Sequence, residues 1–447
     1  MAQTLWIKDP LAILAEGAGR GVLVEDGRIV ACVPAGEEPG RPVDQTFEAS
    51  AHVVLPGLIN THHHFYQTLT RAFGPALDKE LFDWLRALYP VWAGLTPDRL
   101  AVAARVAMAE LMLSGCTTTV DHHYVFPEGL EDAIDIEVSE AQELGMRVVL
   151  TRGSMNLSEE DGGLPPKSVV QDEESILADS ERLIARHHQP HAGAMVQIAL
   201  APCSPFSVTR SLMLATAALA ERHGVRLHTH LAETEDENRF CEATFGCRPL
   251  DYLADLDWLN DRVWLAHGIH FNRTEIERLG EAGVGIAHCP GSNMILASGF
   301  CPVPDLEAAG CPVGLAVDGS ASEDQSNMIQ EVRNAFQLQR VARGAAAISH
   351  RDALRWATEG SAGALGRQDI GKIASGARAD LALFKLDDLR FSGHGDPLAA
   401  LVLCGAHAAD RVMVDGRWTV IDGALPGLDL DRLRREHQEA ARALQSA

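Results

Sequence analysis

Asn60-Thr61-His62-His63-His64-Phe65-Tyr66-Gln67 places three consecutive histidines at the end of a short apolar run. Residues two apart on a strand project to the same side, so His62 and His64 can share one ion while His63 points elsewhere. Taken alone, the run is as readily a polar loop with incidental histidines as an H-x-H metal pair. His228-Thr229-His230-Leu231-Ala232-Glu233 shifts the balance, because it sets another histidine, with a carboxylate three residues on, at the end of a second apolar run. Leu265-Ala266-His267-Gly268, Ala287-His288-Cys289-Pro290-Gly291-Ser292-Asn293 and Leu315-Ala316-Val317-Asp318-Gly319 end three more runs in the same way. A single histidine or aspartate in such a place commonly caps a helix or satisfies a loop. Together they can bring imidazole nitrogens and a carboxylate to one point. Three histidines and an aspartate with an open position suit a catalytic divalent ion, zinc by default with iron as the alternative, better than a closed structural site.

Such convergence requires that the ends of several strands meet, and the pattern of the chain supplies a way. Between its two ends the sequence alternates eight short apolar runs, Val53–Asn60, Thr117–His123, Arg147–Arg152, Val196–Pro202, Arg226–Glu233, Val263–Gly268, Val284–Pro290 and Val313–Gly319, with helix-period segments such as Pro97–Ser114, Ile176–His188, Ser211–Gly224 and Arg273–Ala282. Repeated βα units predict an α/β fold. Pattern alone leaves a doubly wound sheet open, but the polar residues gather at the C-terminal ends of the runs, and a (β/α)8 TIM-type barrel brings all those ends to one mouth.

The flanks have a different texture. Gly21–Val30 and Arg411–Val420 are hairpins turning at Glu25-Asp26-Gly27 and Asp415-Gly416, and Ala379–Phe384 is a further strand. Hairpins are not stable alone, which predicts one small β-sandwich-like domain built from both chain ends. The expected division is 1–54 for its first part, 55–368 for the catalytic barrel, and 369–447 for its second part with a terminal helix over Leu430–Gln445.

Composition narrows the partners. Lys plus Arg number 38 against 62 Asp plus Glu, a formal net charge of −24 over 447 residues, and so acidic a chain repels a phosphate backbone or an anionic membrane. There is no apolar run of about 18 residues or more, and no basic-then-apolar leader over Met1–Gly19. The expectation is a cytoplasmic protein with no nucleic-acid or membrane partner. The 9 cysteines never fall in C-x-x-C spacing, which argues against a disulfide framework or a cysteine zinc knuckle and predicts small core residues.

Pro56-Gly57-Leu58-Ile59-Asn60-Thr61-His62-His63-His64, His228-Thr229-His230-Leu231-Ala232-Glu233-Thr234, His267, His288-Cys289-Pro290-Gly291-Ser292-Asn293 and Val317-Asp318-Gly319 stand in the order of the signatures of the amidohydrolase superfamily, and the sequence resembles its deaminase and aminohydrolase branch over nearly the whole chain. Position by position, the resemblance implies that His62, His64, His230 and Asp318 hold a metal ion. It also implies that Glu233, His267 and Asp318 are catalytic and that Gln67 touches substrate. Two-metal members usually carry a bridging lysine at the end of the fourth strand. Val196–Cys203 has none, so a single ion is implied. An ion of this kind makes hydroxide available near neutral pH. Asp318 can take the proton of the attacking water, Glu233 can protonate a ring nitrogen and pass a proton to the departing amine, and His267 can act at the water and the developing tetrahedral centre.

Within the branch, His62–Arg71 and Ala201-Pro202-Cys203-Ser204-Pro205-Phe206-Ser207 are most similar to the 8-oxoguanine deaminases. Adenosine and S-adenosylhomocysteine deaminases and triazine hydrolases tend to carry histidine where this chain has Cys203, and guanine deaminases an Arg-Phe pair in that region. The resemblance implies hydrolysis of the 2-amino group of 8-oxoguanine to urate and ammonia. The alternatives are another N-heterocycle: guanine, an isocytosine-like pyrimidine, adenosine or S-adenosylhomocysteine, or a triazine. A flat heterocycle also suits Phe65, Tyr66, Trp84, Tyr89, Trp92 and Tyr124, although aromatics within Phe82–Trp92 more often belong to a core or an interface. Gln67, Cys203, Tyr124 and Trp92 are the expected substrate contacts, Glu323 and Asp324 read as solvated loop charges, and the assembly is expected to be a homo-oligomer. A non-catalytic scaffold is opposed by the presence of Glu233, His267 and Asp318 together.

Overall fold

Alternating buried strands and amphipathic helices close the middle of the chain into a barrel. The computed structural model describes residues 3–446, so the outermost positions of the two expected terminal segments, residues 1–2 and 447, lie outside the described residues. Eight strands lie side by side in chain order: β1 (Leu58–Asn60), β2 (Cys116–His123), β3 (Arg147–Ser154), β4 (Val196–Pro202), β5 (Leu227–Leu231), β6 (Val263–His267), β7 (Gly285–His288) and β8 (Val313–Leu315). Every neighbouring pair is parallel. The ring shuts between β8 and β1, where the Thr61 N–H donates to the Leu315 carbonyl at 3.0 Å and the Asp318 N–H to the His62 carbonyl at 3.1 Å. That seam fixes His62 and Asp318 against each other before any ligand is considered.

Local chemistry explains the alternation. Strands such as β2 and β3 are buried along their whole length, hence their runs of valine, threonine and leucine. The helices between them start on side-chain caps: Thr96 accepts from the Arg99 N–H and Asn272 from the Glu275 N–H. Several stop at a left-handed glycine such as Gly145 or Gly224.

The two chain ends build a β-sandwich. Leu5–Lys8, Gly21–Glu25, Arg28–Val33 and Gln45–Glu48 form one sheet. Ala12–Ile13 and His52–Pro56 join Leu381–Lys385, Arg411–Val414 and Arg417–Val420 in the other. Ile7, Val22 and Ile29 of the first sheet share a core with Val54, Leu383 and Met413 of the second. The sandwich is tied to the barrel by a buried pair in which Arg147 of β3 donates twice to Asp380, at 3.1 Å each. From the far end, the helix Leu430–Gln445 returns to the barrel, where Gln445 Nε2 donates to the Leu69 carbonyl at 2.7 Å and supports the 3-10 turn Phe65–Thr70 that follows His64.

One expected strand is two. Val53–Asn60 reads as a single apolar run, but His52–Pro56 pairs with Leu381–Lys385 in the sandwich and Leu58–Asn60 with β2 in the barrel. Pro56 lacks an N–H to continue a ladder, and a Cβ at residue 57 would collide with the Thr117 side chain. The chain therefore changes sheets at Gly57.

Candidate active site

His62 and His64 leave the end of β1, His230 lies in β5, and Asp318 follows β8. Their ligand atoms all lie within 4.8 Å of one another, and all four residues are buried. Asp318 Oδ1 is 3.1 Å from His62 Nε2 and 3.3 Å from His64 Nε2, and His230 Nε2 is 3.3 Å from His64 Nε2. The outer nitrogens are already engaged. His64 Nδ1 faces the His122 carbonyl and His230 Nδ1 the Cys203 carbonyl, both at 2.7 Å. His62 Nδ1 is 2.8 Å from His228 Nε2, whose own Nδ1 faces the Trp264 carbonyl at 2.8 Å. A carbonyl can only accept, so each facing nitrogen carries the proton, and His62 in turn donates to His228. Each of the three Nε2 atoms is left with a lone pair inside the group that Asp318 completes, and among the described residues His62 Nε2 has no hydrogen-bond partner. Burial pushes the imidazoles of His62 and His230 down, the latter to about 3, which keeps them neutral. A set of inward lone pairs fixed by outer hydrogen bonds fits a divalent ion.

Beside this group stand two proton-handling side chains. His267 Nε2 is 3.5 Å from Glu233 Oε2 and 3.9 Å from Asp318 Oδ2, and its Nδ1 is held by Asn293 Oδ1 at 3.1 Å. Burial, and then the nearby charge of Asp318, pushes the Glu233 carboxyl well above the usual range. Burial opposes the charge of Asp318 too, but His62 and His64 outweigh it and hold that carboxyl well below. Two carboxyls that share the His267 imidazole as a neighbour are thus set as an acid and a base.

Ala232, His267 and Asp318 all have positive φ, at 54°, 72° and 66°. Non-glycine residues rarely adopt that conformation. Here it turns the chain sharply at the ends of β5, β6 and β8, cutting short the expected runs to Glu233, Gly268 and Gly319, and aims Glu233, His267 and Asp318 across the barrel mouth. Glu237 grips the first of these turns, its carboxylate accepting from the Ala232 and Glu233 N–H groups at 2.9 and 3.0 Å.

Above the metal group is a cavity walled by Gln67, Tyr124, Cys203, Glu233 and His267 and roofed by Leu81, Trp84, Leu85 and Tyr89 from the helix Leu81–Trp92. The roof residues recur at helical spacing, so one face of that helix covers the mouth. Trp84 Nε1 donates to the Ala321 carbonyl at 3.1 Å and anchors the roof to the loop carrying Asp318.

A family model described as the amidohydrolase family matches residues 53–419. The chain belongs to that family. Among its curated relatives, the 8-oxoguanine deaminase of Pseudomonas aeruginosa strain PAO1 is 64% identical over 442 residues, covering 98% of each chain. The hydroxydechloroatrazine ethylaminohydrolase of Pseudomonas sp. strain ADP is 36% identical, covering 93% of this chain and 89% of the other. Among solved structures, the zinc-complexed atrazine chlorohydrolase of Arthrobacter aurescens TC1 matches with a TM-score of 0.92 at 30% identity, covering 98% of this chain and 100% of that one. This amidohydrolase is therefore a hydrolase acting on C–N bonds, with a site suited to a divalent ion.

Of the four expected substrate contacts, Gln67, Cys203 and Tyr124 line the cavity and Trp92 does not. Trp92 is packed against Tyr66 and Trp84 with its indole N–H on Thr70 Oγ1 at 3.2 Å, so it backs the wall instead of forming it. Trp84 and Tyr89, on a helix where aromatics read more simply as core, are in the cavity. Glu323 is not solvated: it is 3% exposed and accepts from the Ser326 N–H at 2.7 Å. His288 faces the Gln339 amide at 3.5 Å instead of the metal group. His228, His122, Asn293 and Glu237 are the residues that sequence reasoning left without a role. The two-residue spacing of His228 and His230 was a signal for the first of these. Glu237 sits in a Glu-Thr-Glu-Asp-Glu stretch that looks like an exposed helix start.

Among the described residues no helix is long and apolar enough to cross a membrane. Six of the cysteines, including Cys116, Cys289 and Cys301, are buried as free thiols.

Proposed function

We propose that this amidohydrolase removes the 2-amino group of 8-oxoguanine by hydrolysis, releasing ammonia and urate. The near full-length likeness to the P. aeruginosa 8-oxoguanine deaminase carries the proposal, and the cavity is consistent with it. In this reading His62, His64, His230 and Asp318 hold one divalent ion, zinc by default and iron as the alternative, since this donor set does not discriminate strongly between them. Such an ion, when bound, makes hydroxide available at neutral pH. Asp318 Oδ2 receives the proton of the attacking water, with His267 Nε2 alongside to orient it. Glu233, kept protonated by its burial, gives its proton to a ring nitrogen of the substrate and then relays one to the departing amine. Gln67, whose amide nitrogen and oxygen are both buried and unpaired, can donate to and accept from the edge of a purine. Gly319 makes room for it, because a Cβ there would collide with the Gln67 amide.

The test is a comparison, with the metal-loaded enzyme, of ammonia release from 8-oxoguanine, guanine, isocytosine and adenosine and of chloride release from a chlorotriazine. The expected outcome is the highest kcat/KM on 8-oxoguanine, with urate formed in step with ammonia. Preference for adenosine or the triazine would reject the substrate and leave the hydrolytic site standing.

A further inference from the structure

The cavity has two unlike walls. One carries Glu233, His267 and Asp318, which move protons. The other, on the β2–β4 side, is built from Tyr124, Cys203 and the roof residue Tyr89, with Tyr66 packed against Tyr124. Among the described residues, no lysine or arginine lines the cavity, so whatever meets this second wall is read by neutral groups.

Tyr89 is the residue on this wall that packing does not explain. It is 1% exposed, and its ring meets Trp92 edge-on at 5.9 Å, a contact that phenylalanine would make equally well. Its hydroxyl is buried without a hydrogen-bond partner among the described residues. A buried hydroxyl left unpaired costs free energy, so a tyrosine hydroxyl of this kind in the lining of the cavity points to a partner that arrives with the ligand. The Tyr66 hydroxyl is also buried without a hydrogen-bond partner among the described residues, but Tyr66 does not line the cavity, whereas Tyr89 does; Tyr124 lines it too and packs edge-on against His64 at 5.0 Å and against Tyr66 at 5.9 Å. Burial pushes the phenol of Tyr89 well above its ordinary range, which leaves the hydroxyl a donor at any working pH. Cys203, whose thiol is pushed up to about 12 by burial, is a far weaker donor.

The orientation of the substrate follows from the proton-moving residues. The carbon losing its amine has to lie against Glu233, His267 and Asp318, so the end of a bicyclic base remote from that amine points away from them, toward the rest of the lining, of which Tyr89 is part. In 8-oxoguanine that end carries the oxo group of the five-membered ring. We propose that the Tyr89 hydroxyl donates a hydrogen bond to this oxo oxygen and is a specificity-determining residue against guanine, which has only a C–H there. The inference rests on the 8-oxoguanine reading above and adds to it the group that recognises the 8-position.

The experiment compares wild type with Tyr89→Phe, which keeps the ring and removes only the hydroxyl. Two ratios are measured on the metal-loaded enzyme: kcat/KM for 8-oxoguanine over guanine, and the inhibition constants of urate and xanthine, which differ by the same oxo group. The expected result is a fall of about tenfold or more in the first ratio, with urate inhibition weakened by a similar factor relative to xanthine and metal content unchanged. If both substrates and both inhibitors weaken equally, Tyr89 is a packing residue and the proposal is overturned, as it is if neither ratio moves. A wild type that ignores 8-oxoguanine rejects the substrate reading separately, and the urate and xanthine constants then still decide for or against Tyr89.

Discussion

Three histidines whose Nδ1 protons are already committed have only Nε2 lone pairs left to offer, and this separates the metal-holding from the proton-moving residues. Glu233 is outside the inward-facing group of His62, His64, His230 and Asp318, so Glu233→Gln is expected to retain the ion while losing a rate factor of about 10²–10⁴, the usual cost of removing a general acid or base. His230→Ala is expected to lose the ion and the activity together. Metal analysis beside steady-state rates distinguishes the two, and near-normal turnover by Glu233→Gln would remove it from proton transfer. At this scale the chemistry-bearing residues were legible because two-residue spacing and strand-end position leave a mark in the sequence. Their protonation was not. The direction of His62 Nδ1 depends on His228, and that of His228 on the Trp264 carbonyl, a backbone group that no sequence pattern displays.

Elements are legible where a period runs long enough and illegible where the backbone changes hands. The helices Arg273–Ala282 and Leu430–Gln445 fall where periodicity sets them. The shift between sheets at Gly57 is hidden because both pieces are apolar. A buried cluster behind β2 was equally hidden: Asp121 and His123 face Glu137 of the helix Ala133–Leu144, with His123 Nδ1 3.2 Å from Glu137 Oε1 and His123 Nε2 2.8 Å from the Val125 carbonyl. Nε2 therefore carries the histidine proton, and Nδ1 needs one from Glu137. Burial pushes the Glu137 carboxyl up to about 8, well above a free glutamate at about 4.3. A carboxyl raised on folding contributes stability that is complete below its unfolded pKa and is lost as pH rises through the folded one. Wild type is thus expected to lose thermal stability between about pH 5 and about pH 9, and Glu137→Gln, which cannot ionise, to lose less over the same window. Melts at the two ends of the window measure it, and equal losses in both proteins would show that Glu137 is not the group responsible.

For the whole molecule, the chain ends meet in one sandwich and the barrel closes at the strands that carry the ligands. That topology was legible from the flanking hairpins and the eight repeated runs, whereas the wiring between the parts, such as Arg147 on Asp380, depends on buried charge that sequence alone does not locate. The metal group adds a further tie, since it draws on the ends of β1, β5 and β8, strands that are far apart in sequence and assembled only in the folded state. A ligand that binds the native state alone stabilises it by about 4 kcal/mol at a thousandfold excess over its Kd. Removing the ion also leaves three inward lone pairs and a carboxylate facing one another without a cation. Dialysis against a chelator is therefore expected to abolish activity, to release close to one divalent equivalent per chain, and to lower Tm by several degrees, with zinc restoring all three. Retained activity after complete removal would overturn the metal-dependent reading, and release of two equivalents would overturn the single-ion one. A loss of activity without a fall in Tm would mean that the seam between β8 and β1 holds the barrel without help from the ion.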